Sequence, residues 1–195
     1  MKRFFDFICS LLAIILLSPV LLLLSMVILI DSGRPIVFRQ KRVGLNNQLF
    51  DIRKFRTMKQ GTRNAPTADL KEFDHCVTRC GRFLRKTSLD ELPQLFNILL
   101  GEMSFVGTRP EVPKYVSRYT PEMMATLLLP AGVTSQASIQ YKDEDRLLEN
   151  AQDADKTYVE QVLPGKMEYN LKSILEFSLW KDFKTMIDTV VAVVR

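Results

Sequence analysis

The run ICSLLAIILLSPVLLLLSMVILI, residues 8–30, contains no charged side chain and sets the arrangement of the whole chain. A straight helix over this run would rise about 35 Å, enough to cross a hydrocarbon core of about 30 Å. Pro19 has no N–H, so the carbonyl of Ile15 loses its helical partner and the helix should kink, with the hydroxyl of Ser18 available to satisfy freed backbone nearby. The sequence therefore predicts a membrane-embedded helix with a break at Ser18-Pro19.

The charges on both sides of this run indicate how the helix lies in the membrane. Lys2 and Arg3 precede it, and the basic stretch over residues 34–59 contains Asp51 as its single acid. The positive-inside rule would place both flanks in the cytoplasm, which one spanning helix cannot satisfy. We therefore favour a re-entrant helix, with a spanning anchor as the alternative. A signal peptide would need a shorter apolar core and an A-x-A-like cleavage site.

The chain has 195 residues and a net charge of +5. We expect a membrane-embedded segment over residues 1–33 and one compact cytoplasmic domain over residues 34–195, because no linker or low-complexity block divides the latter. The basic residues concentrate in residues 34–85, which indicates an anionic partner such as acidic lipid headgroups or substrate phosphates. A nucleic-acid partner is disfavoured beside an apolar anchor.

The cysteines and the single histidine exclude several kinds of chemistry. Cys9, Cys76 and Cys80 have no spacing typical of a disulfide framework, which fits a reducing compartment. A zinc site built on His75 and two cysteines would lack a fourth ligand at a recognisable spacing. The sequence has no Walker A loop and no G-x-G-x-x-G motif. If the protein is an enzyme, carboxylates and arginines must carry the reaction.

The pattern over the soluble part predicts a mainly α fold with a small β-hairpin, an α+β class. The hairpin strands are expected at residues 36–43 and 49–57, joined by the turn GLNN, and a surface loop is expected at residues 60–69. A weak alternation at residues 133–141 indicates a further strand. Helical patterns cover the following ranges: 79–86, 89–100, 110–129, 143–162 and from 167 onward.

The last helical pattern is amphipathic. Leu179, Trp180, Phe183, Met186 and Ile187 recur at helical spacing, opposite charged side chains. Two interpretations remain open, packing in the core and a helix that lies on the membrane surface. The fold class that we predict includes such membrane-surface helices.

The densest polar grouping is RCGRFLRKTSLDELPQ, residues 79–94. Three arginines spaced three residues apart lie along one helical face, and Asp90 and Glu91 follow at the start of the next helix. A structural interpretation is available, since Ser88 and Glu91 have capping-box spacing and an arginine face is usually solvated.

A functional interpretation competes with the capping box. Asp90 at a helix N-terminus beside arginines should stay ionised, as a carboxylate nucleophile or a metal ligand requires. On a helix, Asp90 and Glu91 point about 100° apart, so one can attack while the other holds a metal. The segment GTRPE, residues 107–111, offers an arginine at a tight turn before a helix, which is an anion site or an ordinary turn.

The chain resembles the bacterial sugar transferases, the monotopic polyprenyl-phosphate phosphoglycosyl transferases. The segments that carry the resemblance are KFRTM (residues 54–58), GRFLRKTSLDELPQL (residues 81–95) and GEMSFVGTRPE (residues 101–111). It covers essentially the whole chain, including the Ser18-Pro19 break. Thr108 replaces a proline that is common in the family, and residues 132–139 differ from the common G-[ILV]-T-G-x-x-Q-[VI] run. Both departures bear on sugar preference.

The resemblance implies transfer of a phosphosugar from a nucleoside-diphosphate sugar, usually a UDP-sugar, to undecaprenyl phosphate, with release of UMP, at the start of a cell-surface glycan pathway. Asp90 would be the nucleophile that forms a covalent phosphosugar intermediate, and Glu91 would assist it as metal ligand or base. Mg²⁺ would neutralise the diphosphate. The substrate-binding residues would be Arg85, Arg82, Arg109, Glu111, Lys54 and Arg56.

The resemblance also implies a location and partners. The protein would act at the cytoplasmic face of the bacterial inner membrane, where undecaprenyl phosphate and a soluble nucleotide sugar can meet, and a homodimer is left open. Two other functions compete with this one. The first is a non-catalytic membrane-surface adaptor that holds anionic lipid, and the second is a lipid-phosphate hydrolase that needs no nucleotide sugar.

Overall fold

A computed structural model describes residues 2–59, 61, 76–142, 144–149, 151 and 153–194. The described chain is mainly helical and contains two small sheets of two strands each, which confirms the predicted fold class at that level. His75 and, apart from Gly61, the predicted loop over residues 60–69 lie outside the described residues.

The apolar run forms most of helix α1, Lys2–Ser32, the one described helix that is long and apolar enough to cross a membrane. Pro19 lies inside this helix, and the Ser18 hydroxyl donates to the Ile15 carbonyl at 2.8 Å, as the sequence predicted. Because that hydroxyl replaces the lost backbone bond, the helix continues through Ser18-Pro19. The predicted break at Ser18-Pro19 is therefore not a gap in the helical structure, and both a kink at this point and the re-entrant placement stay predictions.

The predicted hairpin is confirmed. Strand β1, Val37–Val43, pairs antiparallel with strand β2, Leu49–Phe55, in a register that sets Val37 opposite Phe55. Asn46 and Asn47 in the connection have φ angles of 53° and 59°, in the left-handed region that asparagine tolerates. The hairpin brings Lys54 near the end of β2 to the middle of the domain.

A second sheet was not predicted. Strand β3, Met103–Val106, pairs parallel with strand β4, Ala131–Thr134. Just after β3, the backbone of Gly107 passes very close to Gly132 in β4. A Cβ on Gly132 would lie 2.1 Å from the Gly107 nitrogen. This contact fixes the start of the GTRPE segment against β4.

The strand predicted at residues 133–141 is wrong beyond Thr134. Ser135 begins helix α6 instead, because its hydroxyl accepts a hydrogen bond from the Ser138 nitrogen at 3.0 Å. The helix predicted over residues 89–100 is also shorter. Leu89–Glu91 form a 3₁₀ turn, and the α-helix begins at Gln94 because Pro93 has no N–H to continue an earlier helix.

The remaining helices connect these elements, mostly in short pieces. A π-helical turn, Tyr158–Val162, joins α8 to α9. The helices are α2 (Arg79–Lys86), α3 (Gln94–Leu100), α4 (Pro113–Val116), α5 (Pro121–Met124), α6 (Gln136–Gln140), α7 (Glu144–Glu149), α8 (Ala154–Thr157), α9 (Leu163–Leu175) and α10 (Leu179–Val194).

Helix α1 packs along the domain rather than standing apart from it. Its first half lies on a core that contains Phe50 and Ile98, and its second half buries Leu24 and Ile28 against Phe55 and its neighbours. Polar contacts hold both ends. Lys2 donates to the Val106 carbonyl at 2.9 Å, and Arg56 donates to the Gly33 carbonyl just beyond α1 at 2.7 Å.

The apolar face of α10 is exposed. The helix packs on the domain through the face that carries the Thr185 hydroxyl, which accepts a hydrogen bond from the Gln136 side chain at 3.0 Å. Trp180, on the opposite side, is 76% exposed, and Phe183 and Ile187 are also exposed. Core packing within this chain therefore does not explain the amphipathic pattern of α10.

Candidate active site

The turn that carries Asp90 and Glu91 connects α2 to α3. Ser88 has a φ of 55°, in the left-handed region, and its side chain makes no capping hydrogen bond. An N-cap residue has extended backbone angles, so this conformation excludes the capping box. The structural interpretation of Ser88 and Glu91 is wrong, and the Glu91 side chain is directed elsewhere.

Glu91 lies between two cations in what we call the Glu91 cluster, which consists of Lys54, Glu91 and Arg109. Lys54 Nζ donates to Glu91 Oε1 at 2.7 Å. Arg109 donates to both carboxylate oxygens, to Oε1 at 2.5 Å and to Oε2 at 3.3 Å. The cluster joins β2, the 3₁₀ turn and the loop after β3.

The Glu91 cluster holds Glu91 ionised. Burial raises the pKa of Glu91, but the charges of Arg109 and Lys54 and their hydrogen bonds outweigh it and lower that pKa to about 2. The charge of Glu91 in turn raises the pKa of Arg109. A carboxylate in this state is a poor general base, so of the two roles implied for Glu91 the base is disfavoured.

Asp90 has a different environment from its neighbour. Burial raises its pKa, and the charge of Glu91 raises it further, whereas Lys54 and Arg85 act in the opposite direction. The sequence predicted that arginines would keep Asp90 ionised. The net shift of the Asp90 pKa is upward, because the turn half-buries the carboxyl beside a second carboxylate. The ion pairs of the Glu91 cluster engage Glu91 rather than Asp90.

Arg85 reaches the site because α2 lies close to the end of the hairpin. A Cβ on Gly81 would lie 2.1 Å from the Thr57 carbonyl oxygen, so only glycine permits this approach. One turn further along α2, Arg85 Nε donates to the Thr57 hydroxyl at 2.9 Å. The Arg85 charge acts on Asp90.

One of the predicted substrate-binding arginines, Arg56, makes its contacts away from the Glu91 cluster. Arg56 is buried at the carboxyl end of α1, where it donates to the Ser32 hydroxyl at 2.8 Å and the Gly33 carbonyl at 2.7 Å. A cation is favourable at a helix C-terminus, which gives Arg56 a structural reason for its position. Arg82 lies exposed on α2.

Glu111 lies in a second group, the Glu111 cluster, which consists of Arg42, Glu111, Glu144, Tyr158 and Lys166. The Tyr158 hydroxyl donates to Glu111. Lys166 donates to Glu144 at 2.9 Å and to the Tyr158 hydroxyl at 3.3 Å, and Arg42 lies 3.9 Å from Glu111. Burial and the charge of Glu111 raise the pKa of Tyr158.

A cleft of about 540 Å³ lies between the two clusters. Glu91 and Arg109 line one part of it, and Glu144 and Lys166 line another, whereas Glu111 lies behind them. Its further lining residues include Ser88, Leu92, Phe105, Ser138, Tyr141 and Lys142. Sequence reasoning found Glu91 and Arg109 but missed Lys166 and Tyr158, because a lone lysine or tyrosine in a helical pattern carries no local signal.

The described residues offer few ligands for a metal ion. Within them, no group of three or more histidine, cysteine or acidic side chains could hold one. Both oxygens of Glu91 already accept hydrogen bonds from cations, so a metal ion bound to Glu91 would lie against the charges of Lys54 and Arg109. Asp90 fits better, since Mg²⁺ is commonly held by one or two carboxylates together with substrate phosphates.

The structure thus combines a helix long and apolar enough to cross a membrane with an α+β domain whose cleft is lined by a carboxylate and cations. The family is shown by sequence. Residues 1–195 match the model of the bacterial sugar transferase family, and the chain belongs to this family.

Three curated relatives illustrate the similarity. A UDP-glucose:undecaprenyl-phosphate glucose-1-phosphate transferase from Klebsiella pneumoniae is 35% identical over 97% of this chain and 39% of that protein. A UDP-N-acetylgalactosamine-undecaprenyl-phosphate N-acetylgalactosaminephosphotransferase from Aeromonas hydrophila is 34% identical over 97% of this chain and 42% of that protein. A glucose-1-phosphate transferase from Caulobacter vibrioides is 35% identical over 97% of this chain and 68% of that protein. The chain thus spans about two fifths of the length of the first two.

Proposed function

We propose that the protein transfers a sugar 1-phosphate from a UDP-sugar to undecaprenyl phosphate, releasing UMP and forming an undecaprenyl-diphosphate sugar. The observation that carries the proposal is the Glu91 cluster next to Asp90, two of whose members, Glu91 and Arg109, line a cleft of about 540 Å³. The relatives are named for this type of reaction, with glucose in some and N-acetylgalactosamine in another. The sugar of this chain is therefore left to experiment.

In the first step, an Asp90 carboxylate oxygen attacks the phosphorus that bears the sugar. The bond from this phosphorus to the bridging oxygen breaks, and UMP leaves with the electron pair. The product is an acyl phosphate that joins Asp90 to the phosphosugar. Arg85, Arg109 and Lys54 lie where their charges can stabilise the negative oxygens of the transition state.

In the second step, a phosphate oxygen of undecaprenyl phosphate attacks the same phosphorus. The bond between phosphorus and the Asp90 oxygen breaks, which restores the carboxylate and releases the lipid diphosphate sugar. Asp90 must be deprotonated to attack, so its raised pKa makes the rate rise with pH through that pKa.

Magnesium is part of this proposal through Asp90 and the substrate phosphates. When bound, Mg²⁺ would neutralise part of the diphosphate charge. The ion-paired state of Glu91 argues against a second protein ligand at that position.

The reaction is proposed to occur at the cytoplasmic face of the inner membrane, with α1 re-entrant. Both ends of α1 contact the same domain, since Lys2 binds the Val106 carbonyl and Arg56 binds the Gly33 carbonyl. A spanning helix would separate its ends by about 30 Å of hydrocarbon, which one domain on one side of the membrane cannot bridge. The exposed apolar side of α10, with Trp180, suits the headgroup boundary.

Placement of α1 is tested with single cysteines in a cysteine-free background, one before residue 6 and one near Asn46. Both should resist a membrane-impermeant thiol reagent applied from outside the cell. Labelling of the N-terminal cysteine alone would instead establish a spanning helix.

The activity is tested by incubating the protein with undecaprenyl phosphate, magnesium and a panel of UDP-sugars, and by measuring UMP. We expect release with one or a few of these sugars. Lipid binding without UMP release would favour the adaptor, and phosphate release from the lipid without any nucleotide sugar would favour the hydrolase.

A further inference from the structure

Both carboxylate oxygens of Glu91 are engaged by cations of the chain itself. Oε1 accepts from Lys54 at 2.7 Å and from Arg109 at 2.5 Å, and Oε2 accepts from Arg109 at 3.3 Å. Lys54 belongs to β2 and Arg109 to the loop after β3, whereas Glu91 belongs to the turn that carries Asp90. One carboxylate therefore ties together the three segments that surround the nucleophile.

The carboxylate is more enclosed than the guanidinium that it holds. The Glu91 side chain is 17% exposed and the Arg109 side chain is 37% exposed, and both line the cleft. Arg109 also donates to the Val133 carbonyl at 3.4 Å, which orients it from a second side. The exposed part of Arg109 is thus presented to the cleft in a fixed orientation, where a diphosphate can bind it.

A divalent cation at Glu91 would meet an obstacle. It would bind among the hydrogen bonds from Lys54 and Arg109, and it would lie against both positive charges. Lys54 is largely enclosed, with 21% of its side chain exposed, so it cannot move its charge far into solvent. The arrangement favours an organising role for Glu91.

We propose that Glu91 is a positioning residue that holds Lys54 and Arg109 in place for the diphosphate of the nucleotide sugar, and that it is not a ligand of the magnesium ion. This inference rests on the proposed function and deepens it. Glu91 then acts through its two cations, and the adjacent carboxyl of Asp90 is the group that meets phosphorus.

The first test needs neither substrate nor metal. Thermal unfolding of the full chain is measured in excess chelator for the wild type, Glu91→Gln, Lys54→Met and the double variant. Glu91→Gln should lower Tm because it leaves two enclosed cations without their anion, and Lys54→Met should recover part of that loss in the double variant. An unchanged or higher Tm for Glu91→Gln, as expected for an empty metal site, would overturn the proposal.

The second test separates positioning from metal binding. For Glu91→Gln we expect kcat to fall by about 100-fold or more, since two transition-state donors lose their orientation. The Mg²⁺ concentration for half-maximal UMP release should stay within about twofold of the wild type, whereas a rise of about tenfold or more, typical of a damaged metal site, contradicts the inference.

Glu102→Gln is the matched control, since Glu102 also pairs with a hairpin cation, Arg53, at 2.8 Å but does not line the cleft. Glu102→Gln should leave kcat and the Mg²⁺ concentration for half-maximal UMP release near those of the wild type. If the wild type releases no UMP from any UDP-sugar, the proposed function fails, and the unfolding test still decides whether Glu91 anchors its cations.

Discussion

The Glu91 and Glu111 clusters use the same kind of pairing, a carboxylate among basic side chains, yet they differ in how far their side chains are exposed. Both contribute to the lining of the cleft, the first through Glu91 and Arg109 and the second through Glu144 and Lys166. Arg109 in the first cluster is 37% exposed, whereas Glu111 and Lys166 in the second are 8% and 6% exposed. The comparison teaches that two similar ion-pair clusters at one cleft can present very different amounts of charged surface to it.

The neutral donor in the second cluster accounts for part of this difference. The Tyr158 hydroxyl donates a hydrogen bond to Glu111 without adding a charge, so the Glu111 carboxylate can be buried inside the domain. The Glu91 cluster has no such donor, and its two cations share one carboxylate. Its excess positive charge is suited to an anionic substrate, whereas the Glu111 cluster is suited to holding β1, α7 and α9 together.

The largest expected effect tests whether Asp90, the residue next to the Glu91 cluster in the chain, is the nucleophile. Asp90→Asn should lower the rate of UMP release by about 10⁴-fold or more, because an amide cannot attack phosphorus. Intact-protein mass spectrometry without lipid acceptor should show a phosphosugar adduct on the wild type and none on Asp90→Asn. Near-normal UMP release by the variant would remove Asp90 from the mechanism.

The next effect concerns the stability of the second cluster. Glu111→Ala should lower the free energy of unfolding by about 3–5 kcal/mol, because it leaves Arg42 without its carboxylate and the Tyr158 hydroxyl without its acceptor. Denaturant unfolding in detergent measures this loss, and Glu111→Gln, which keeps an acceptor for Tyr158, should lose less. A stable Glu111→Ala variant with a raised KM for the nucleotide sugar would instead place Glu111 in the substrate site.

A third prediction separates two arginines of one helix. Arg85→Ala should cost about 2–4 kcal/mol of transition-state stabilisation, measured as a loss in kcat/KM. Arg82→Ala is the matched control, since Arg82 is exposed on the same helix, and it should change kcat/KM little. Equal effects of the two variants would mean that α2 contributes a diffuse positive field rather than one directed contact.

The smallest of these effects is the pH dependence of the Glu91 cluster. Its cations lower the pKa of Glu91 from 4.5 to about 2, so the ionised carboxylate stabilises the folded state. This contribution is complete above about pH 4.5 and is lost as the pH falls toward 2, a change of about 3 kcal/mol. Unfolding free energies at several pH values should show a smaller acid loss for Glu91→Gln than for the wild type. Parallel curves would show that the ion pairs do not stabilise the fold.

Several elements followed directly from local sequence. The hairpin was predicted within two residues at its ends because the alternation and the Asn46-Asn47 turn act over neighbouring positions. The hydrogen bond from Ser18 to Ile15 was predicted for the same reason. Strand β3 was missed, because a short parallel strand is stabilised by a distant partner, β4, rather than by its own pattern.

The candidate site was predicted in part. Glu91 and Arg109 line the cleft, whereas Asp90 is the neighbour of Glu91 in the 3₁₀ turn and Arg85 acts on Asp90 through its charge. Arg56 belongs to the same basic run as Lys54, yet the structure directs it to the end of α1. Successive side chains of a strand point to opposite faces, so strand alternation does not separate Lys54 from Arg56, and only the surrounding tertiary contacts decide which of them meets a substrate.

The sequence by itself determined the apolar helix, the hairpin, the family and the identity of the carboxylate pair, because these depend on residue types and on spacing within short segments. The tertiary structure alone decided that Glu91 is held by Lys54 and Arg109, which lie 37 and 18 positions away along the chain. It also decided that Glu111 is sealed by Tyr158, 47 positions away. Burial and Coulomb energy depend on distances in space, and a single sequence does not contain those distances until the chain has packed.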